Sequence, residues 1–96
     1  MPFPNTVWSF TRQSIPQNAL KQSGVYGLYR PSAWIYVGES ADMQARLLEH
    51  LNTPTPCLAR EKPTGFTYEL WQADKRVARQ NQLILELKPV CNQKLG

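Results

Sequence analysis

An α+β domain is the fold class this sequence predicts, and three observations carry that expectation. Two β-rich runs, Gly24 to Arg30 and Trp34 to Glu39, stand either side of a turn-length link. A third run, Phe66 to Gln72, sets Phe66, Tyr68 and Leu70 against Thr67 and Glu69, the alternation of a strand with one buried face. Segments of helical period lie before, between and after these runs. A chain of 96 residues makes one domain.

Residues 1–13 mix prolines, aromatics and polar residues without a period and read as an irregular arm, with Val7, Trp8 and Phe10 packed on the body; the folded domain is placed at 14–96. Ile15 to Gln22 reads as a short helix, with Ser14 as its cap, Pro16 in its first turn and Gly24 just past its end. Pro31-Ser32-Ala33 then joins the first two strands as a hairpin. Alternation places Tyr26, Leu28 and Arg30 on one face of the first strand, and Trp34, Tyr36 and Gly38 together on the second. Asp42 to Leu51 is the next helix, apolar along Met43, Leu47, Leu48 and Leu51, with Ser40 as a cap. Asn52 to Gly65 holds three prolines and reads as irregular, with Arg60 and Lys62 exposed. The last helix runs from an Asp74 cap to about Lys88, where Pro89 stops it.

Composition narrows the function classes. Hydrophobic residues make up 42% and charged residues 19%, as in ordinary globular domains, and no apolar run approaches a membrane span. The opening residues carry no basic and apolar leader, so a cytoplasmic chain is expected. The net charge of +4 suits a polyanionic partner. Cys57 and Cys91 lie in no metal-type spacing and are expected as two reduced thiols.

The chemistry-bearing residues gather near the hairpin. Tyr26 and Tyr36 each stand near a glycine on neighbouring strands, and Arg46 and His50, four apart, share a face of the following helix. Phenol, guanidinium and imidazole together are parts of a phosphodiester-cleaving site. On the last helix Ala73, Val77, Ile84 and Leu87 fall within about 40° of one line at about 100° per residue, and Gln80 lies on that line. A polar residue inside a core-facing stripe is either bonded to a buried partner or stands at a functional position.

The order of these motifs resembles the GIY-YIG nuclease superfamily, as a small single-domain member. Gly24-Val25-Tyr26 and Tyr36-Val37-Gly38 correspond to the two strands that name it, Arg46-Leu47-Leu48-Glu49-His50 to its helix, and Leu83-Ile84 with Lys88-Pro89-Val90-Cys91-Asn92 to its closing segment. The resemblance spans roughly residues 23 to 92. It implies a small three-stranded antiparallel sheet flanked by helices. It also implies hydrolysis of DNA phosphodiester bonds with one divalent metal, Mg2+ or Mn2+, and DNA as the partner. In that scheme Tyr26 or Tyr36 acts on the attacking water and Arg46 binds the phosphate; His50 either orients these groups or takes part directly. Gly24, Gly38 and Asn92 serve the backbone, Asn92 by bonding the chain end.

One position departs from the pattern. The family's metal-binding glutamate falls on Gln80, whose amide offers an oxygen without charge, whereas magnesium is usually held through carboxylates. Glu86 lies about 240° further round the helix and Glu49 points off the Arg46 face, which leaves Glu39 as the candidate substitute. The alternative function is therefore a weakened or inactive nucleic-acid-binding module. Lys75, Arg76 and Arg79 form either a solvated helix face or, with Arg46, a track for phosphates.

Overall fold

The computed structural model describes residues 6–92. The elements follow in the order β1 (Trp8–Ser9), α1 (Ser14–Asn18), β2 (Gly24–Arg30), β3 (Ala33–Ser40), α2 (Met43–Asn52), α3 (Pro56–Glu61), β4 (Gly65–Leu70) and α4 (Ala73–Leu87), closed by a 3-10 turn over Val90–Asn92. All strand pairs are antiparallel and the sheet order is β1-β4-β2-β3. The sheet thus has four strands where three were expected. The extra one comes from the stretch expected as an irregular arm, where Trp8 pairs with Phe66 and stacks on Tyr68 at 5.2 Å. Val7, beside it, stays exposed rather than packing on the body.

The sheet is covered on both faces. On one, Tyr26, Leu28, Ile35 and Phe66 pack with Ile15 of α1, Met43 and Leu47 of α2 and Leu58 of α3. On the other, Val25 and Val37 pack with Leu83 of α4. The β2–β3 register slips between Leu28 and Tyr29, so that Leu28 faces Tyr36 while Tyr29 faces Trp34. Ile35 is the extra residue, as in a β-bulge. Ile35 and Tyr36 therefore share the first face, and Trp34 goes to the α4 side, not to the face of Tyr36 as simple alternation predicts.

Several caps differ from expectation. Helix α1 is shorter, and Thr11 Oγ1, not Ser14, accepts a backbone N–H at its start. Gly24 opens β2 instead of closing α1; a Cβ there would meet the Glu69 carbonyl and Met43 Sδ. Asp42, not Ser40, caps α2 by accepting from the Ala45 N–H at 3.0 Å. Gln72 holds the cap position of α4 and Asp74 sits in its first turn, where a carboxylate suits the helix dipole.

The proline-rich stretch is not irregular: Thr55 caps α3 and Pro56 occupies its first turn. This short helix brings Cys57 to the closing turn, where it forms a disulfide with Cys91, the Cα atoms 5.8 Å apart. The expectation of two reduced thiols is thereby overturned. A bridge across 34 positions in sequence leaves no local spacing to betray it.

Candidate functional site

Tyr26 and Gly38 are direct partners across β2 and β3, and Tyr36 precedes Gly38 by two residues on the same face. The two phenols lie over Gly38: a Cβ there would meet Tyr26 Oη at 2.5 Å and Tyr36 Cε2 at 2.8 Å. The need for glycine is thus steric, since any side chain would displace the rings. His50 reaches the same place from α2. Its ring centroid is 5.6 Å from that of Tyr26 and 5.3 Å from that of Tyr36, and the tyrosine centroids are 6.2 Å apart.

The Tyr26 hydroxyl and His50 Nε2 are 2.7 Å apart. Burial, followed by the nearby Tyr36 phenol, raises the Tyr26 pKa far above its usual range, and Arg46 opposes this only in part. Burial, and then the Arg46 guanidinium, lower the His50 pKa. Both groups are therefore neutral, and the phenol donates to Nε2 when the imidazole carries its proton on Nδ1. Arg46 sits one turn before His50, with half its side chain exposed, and pairs loosely with Glu49 at 3.5 Å. Glu49 thus lies on the Arg46 side of α2, not off it.

The sheet's other face carries charge. Val25 pairs with Glu39 on β3 and with Glu69 on β4, which sets the two carboxylates in one row across the sheet. Helix α4 answers with two arginines. Arg79 Nε and Nη2 donate to the two oxygens of Glu69, each at 2.8 Å, and this bond raises the Arg79 pKa. Arg76 Nε donates to Glu39 Oε1 at 2.6 Å, and Arg76 Nη1 to Ser23 Oγ at 2.9 Å. Of the basic residues expected on this helix as a phosphate track, only Lys75 is simply exposed.

Gln80 is half-buried, and among the described residues its amide makes one weak bond, to Asn81 Oδ1 at 3.5 Å. The stripe around it is turned from expectation: Ala73 and Val77 are exposed, while Arg76, Gln80, Leu83 and Leu87 point inward. The cause is the pair of carboxylates, which draws the arginines toward the sheet.

The donor set does not fit a resident divalent cation. Gln80 brings no charge, and the carboxylate of Glu39 already holds Arg76. Among the described residues no group of three His, Cys, Asp or Glu is placed to hold a metal. Asn92 bonds not the chain end but the middle of β3, accepting from the Val37 N–H at 2.7 Å and donating to the Val37 carbonyl at 3.0 Å. Sequence reasoning missed Ser23 and the pairing of Arg76 with Glu39. The only signal was weak: two carboxylates at matching places in two strands and two arginines three apart on a helix.

The arrangement of the sheet, the hairpin tyrosines and the covering helices is that of a GIY-YIG endonuclease domain, and the chain has that fold. The solved structures it resembles are of the GIY-YIG N-terminal endonuclease domain of UvrC from Thermotoga maritima. The form bound to magnesium, its catalytic divalent cation, superposes with a TM-score of 0.71 at 22% identity, over 85% of this chain and 98% of that one. Two point mutants of the same domain, each bound to the divalent cation, give TM-scores of 0.72 and 0.73 at 21% and 20% identity, each over 88% of this chain and 99% of the other. No family model matches the sequence, and no curated protein does.

Proposed function

We propose that this domain acts on DNA phosphodiester bonds as a nuclease of GIY-YIG type. The observation that carries the reading is the hydrogen bond between Tyr26 and His50, held beside Tyr36 over Gly38, with Arg46 one helical turn away. A planar guanidinium suits a phosphate and offsets the charge that builds on it during attack. Tyr26 is too buried to act as a free phenolate. Its oxygen accepts the proton of an attacking water while its own proton passes to His50 Nε2, so phenol and imidazole work as one base. Tyr36 packs against both rings and fixes their separation.

Mg2+ or Mn2+ would be the cofactor of hydrolysis, offsetting charge at the reacting phosphate. Gln80 and the committed Glu39 argue for weak retention of the ion by the protein alone. That same observation favours a second reading, a module that grips DNA and hydrolyses it poorly or not at all. Among the described residues no helix is long and apolar enough to cross a membrane. A cytoplasmic location suits an enzyme of DNA, and there the Cys57–Cys91 bridge would face a reducing environment.

Incubation with branched, nicked and supercoiled DNA in magnesium and in manganese tests the reading. Cleavage that Arg46→Ala abolishes is the expected result. If the native chain is silent and Gln80→Glu cuts, the binding module stands in its place. Absence of both cutting and DNA binding overturns both.

A further inference from the structure

Arg76 and Arg79 stand three apart on α4, yet their bonding differs in a way that bears on the site. Arg79 engages both oxygens of Glu69 and also Gln82. Arg76 is held at two nitrogens only, by Glu39 and by Ser23, whose own hydroxyl donates to the Trp71 carbonyl at 2.5 Å. Its second terminal nitrogen has no hydrogen-bond acceptor among the described residues. With 18% of its side chain exposed, Arg76 is largely withdrawn from water. It lines a cleft of about 450 Å³ together with Arg46 and Glu49 of α2. A guanidinium fixed at two points, with donors left over in a cleft, is prepared for an oxyanion.

The acidic groups around this cleft are already engaged. Glu39 holds Arg76, Asp42 caps α2, and Glu49 pairs with Arg46 at 3.5 Å on an exposed surface where a phosphate can displace it. Gln80 lies four residues from Arg76 on the same inward side of α4. A carboxylate there would compete for the Arg76 guanidinium; an amide leaves it available.

We propose that Arg76 supplies a second positive centre beside Arg46, so that the cleft these two residues line receives a nucleic-acid phosphate without metal. The proposal rests on the reading of the domain as one that acts on DNA. It assigns Glu39 to holding Arg76 and not to ligating an ion.

The test is fluorescence anisotropy of a labelled branched DNA with the full chain, in EDTA and in magnesium, over a range of salt. Binding in EDTA should match that in magnesium to within about threefold, Arg76→Gln should weaken it roughly tenfold, and the slope of affinity against salt should fall by about one. Arg76→Lys, which keeps the charge, should hold most of the slope, with circular dichroism confirming that each variant is folded. In parallel, the electron paramagnetic resonance signal of Mn2+ should stay that of the free ion with the native chain and broaden with the Arg76→Gln/Gln80→Glu double variant. Binding that needs magnesium, capture of Mn2+ by the native chain alone, or an unchanged affinity in Arg76→Gln overturns the inference and leaves the reading of a DNA-acting domain intact. No DNA binding under any condition overturns that reading together with the inference.

Discussion

The two faces of one small sheet carry opposite kinds of chemistry. On the α2 side, Tyr26, Tyr36 and His50 form a cluster of rings over Gly38. On the α4 side, Glu39 and Glu69 meet Arg76 and Arg79 in close ion pairs. Strand β3 serves both, with Tyr36 and Gly38 toward one side and Glu39 toward the other, because alternate residues of a strand face opposite ways. The first face is suited to moving a proton, since burial keeps phenol and imidazole neutral and in contact. The second is suited to holding fixed charge, since each guanidinium has a carboxylate of its own. A cation-dependent site needs an uncommitted carboxylate; position 80 carries an amide here, and Glu39, the candidate substitute, is paired with Arg76.

The ring cluster is tested most directly by Tyr26→Phe. It removes the hydroxyl that meets His50 while leaving the ring in the core, so cleavage should fall by about 10²- to 10⁴-fold with little change in the circular dichroism spectrum. Equal cleavage by the variant would remove the proton-moving role from this face. The next largest effect concerns the frame that supports both faces. Cys57→Ser should lower unfolding free energy by about 2–4 kcal/mol, and dithiothreitol should do the same to the native chain. Urea midpoints that do not move with reductant would show that the bridge does not contribute. Gly38→Ala forces a Cβ into both phenols and should cost about 1–3 kcal/mol, measured by calorimetry, and it should disturb the tyrosine resonances more than those of Trp71 on the α4 side.

The smallest effect is a pH dependence that separates the two faces. Burial lowers the His50 pKa in the folded state, so the unfolded chain binds a proton to this residue more readily. Stability therefore rises with pH from the depressed value up to about 6.5 and is lost on acidification through that window. Thermal midpoints of the native chain should decline there, and those of His50→Gln should decline less. The same decline in both would place the pH sensitivity elsewhere.

What the sequence disclosed follows the same division. The nearness of Tyr26, Tyr36 and His50, with Arg46 a turn away, was readable because local motifs in a fixed order carried them, and the strands and helices that hold them followed from period and turn residues. The fourth strand was not, because two residues, Trp8 and Ser9, make no pattern of their own and become a strand only against Phe66 and Gly65. Helix α3 was hidden by prolines that read as breakers, although Pro56 stands at a helix start, where its missing N–H does no harm. The inward side of α4 was misplaced because hydrophobicity located it, whereas two arginines reaching for Glu39 and Glu69 turned it. Ion pairs across 37 and 10 positions in sequence have no periodic signature.

Asn92 gains a further meaning from the place of β3 at the rim of the sheet. A rim strand has one side without a neighbour and can slide. If β3 slid by one residue, Tyr36 would exchange sides with its neighbours and leave His50 and Tyr26 behind. By gripping both polar groups of the Val37 backbone, Asn92 works as a latch on alignment, and the disulfide at Cys91 anchors the latch to α3. The meeting of the two phenols is thus set from the far end of the described chain, by an amide that touches neither of them.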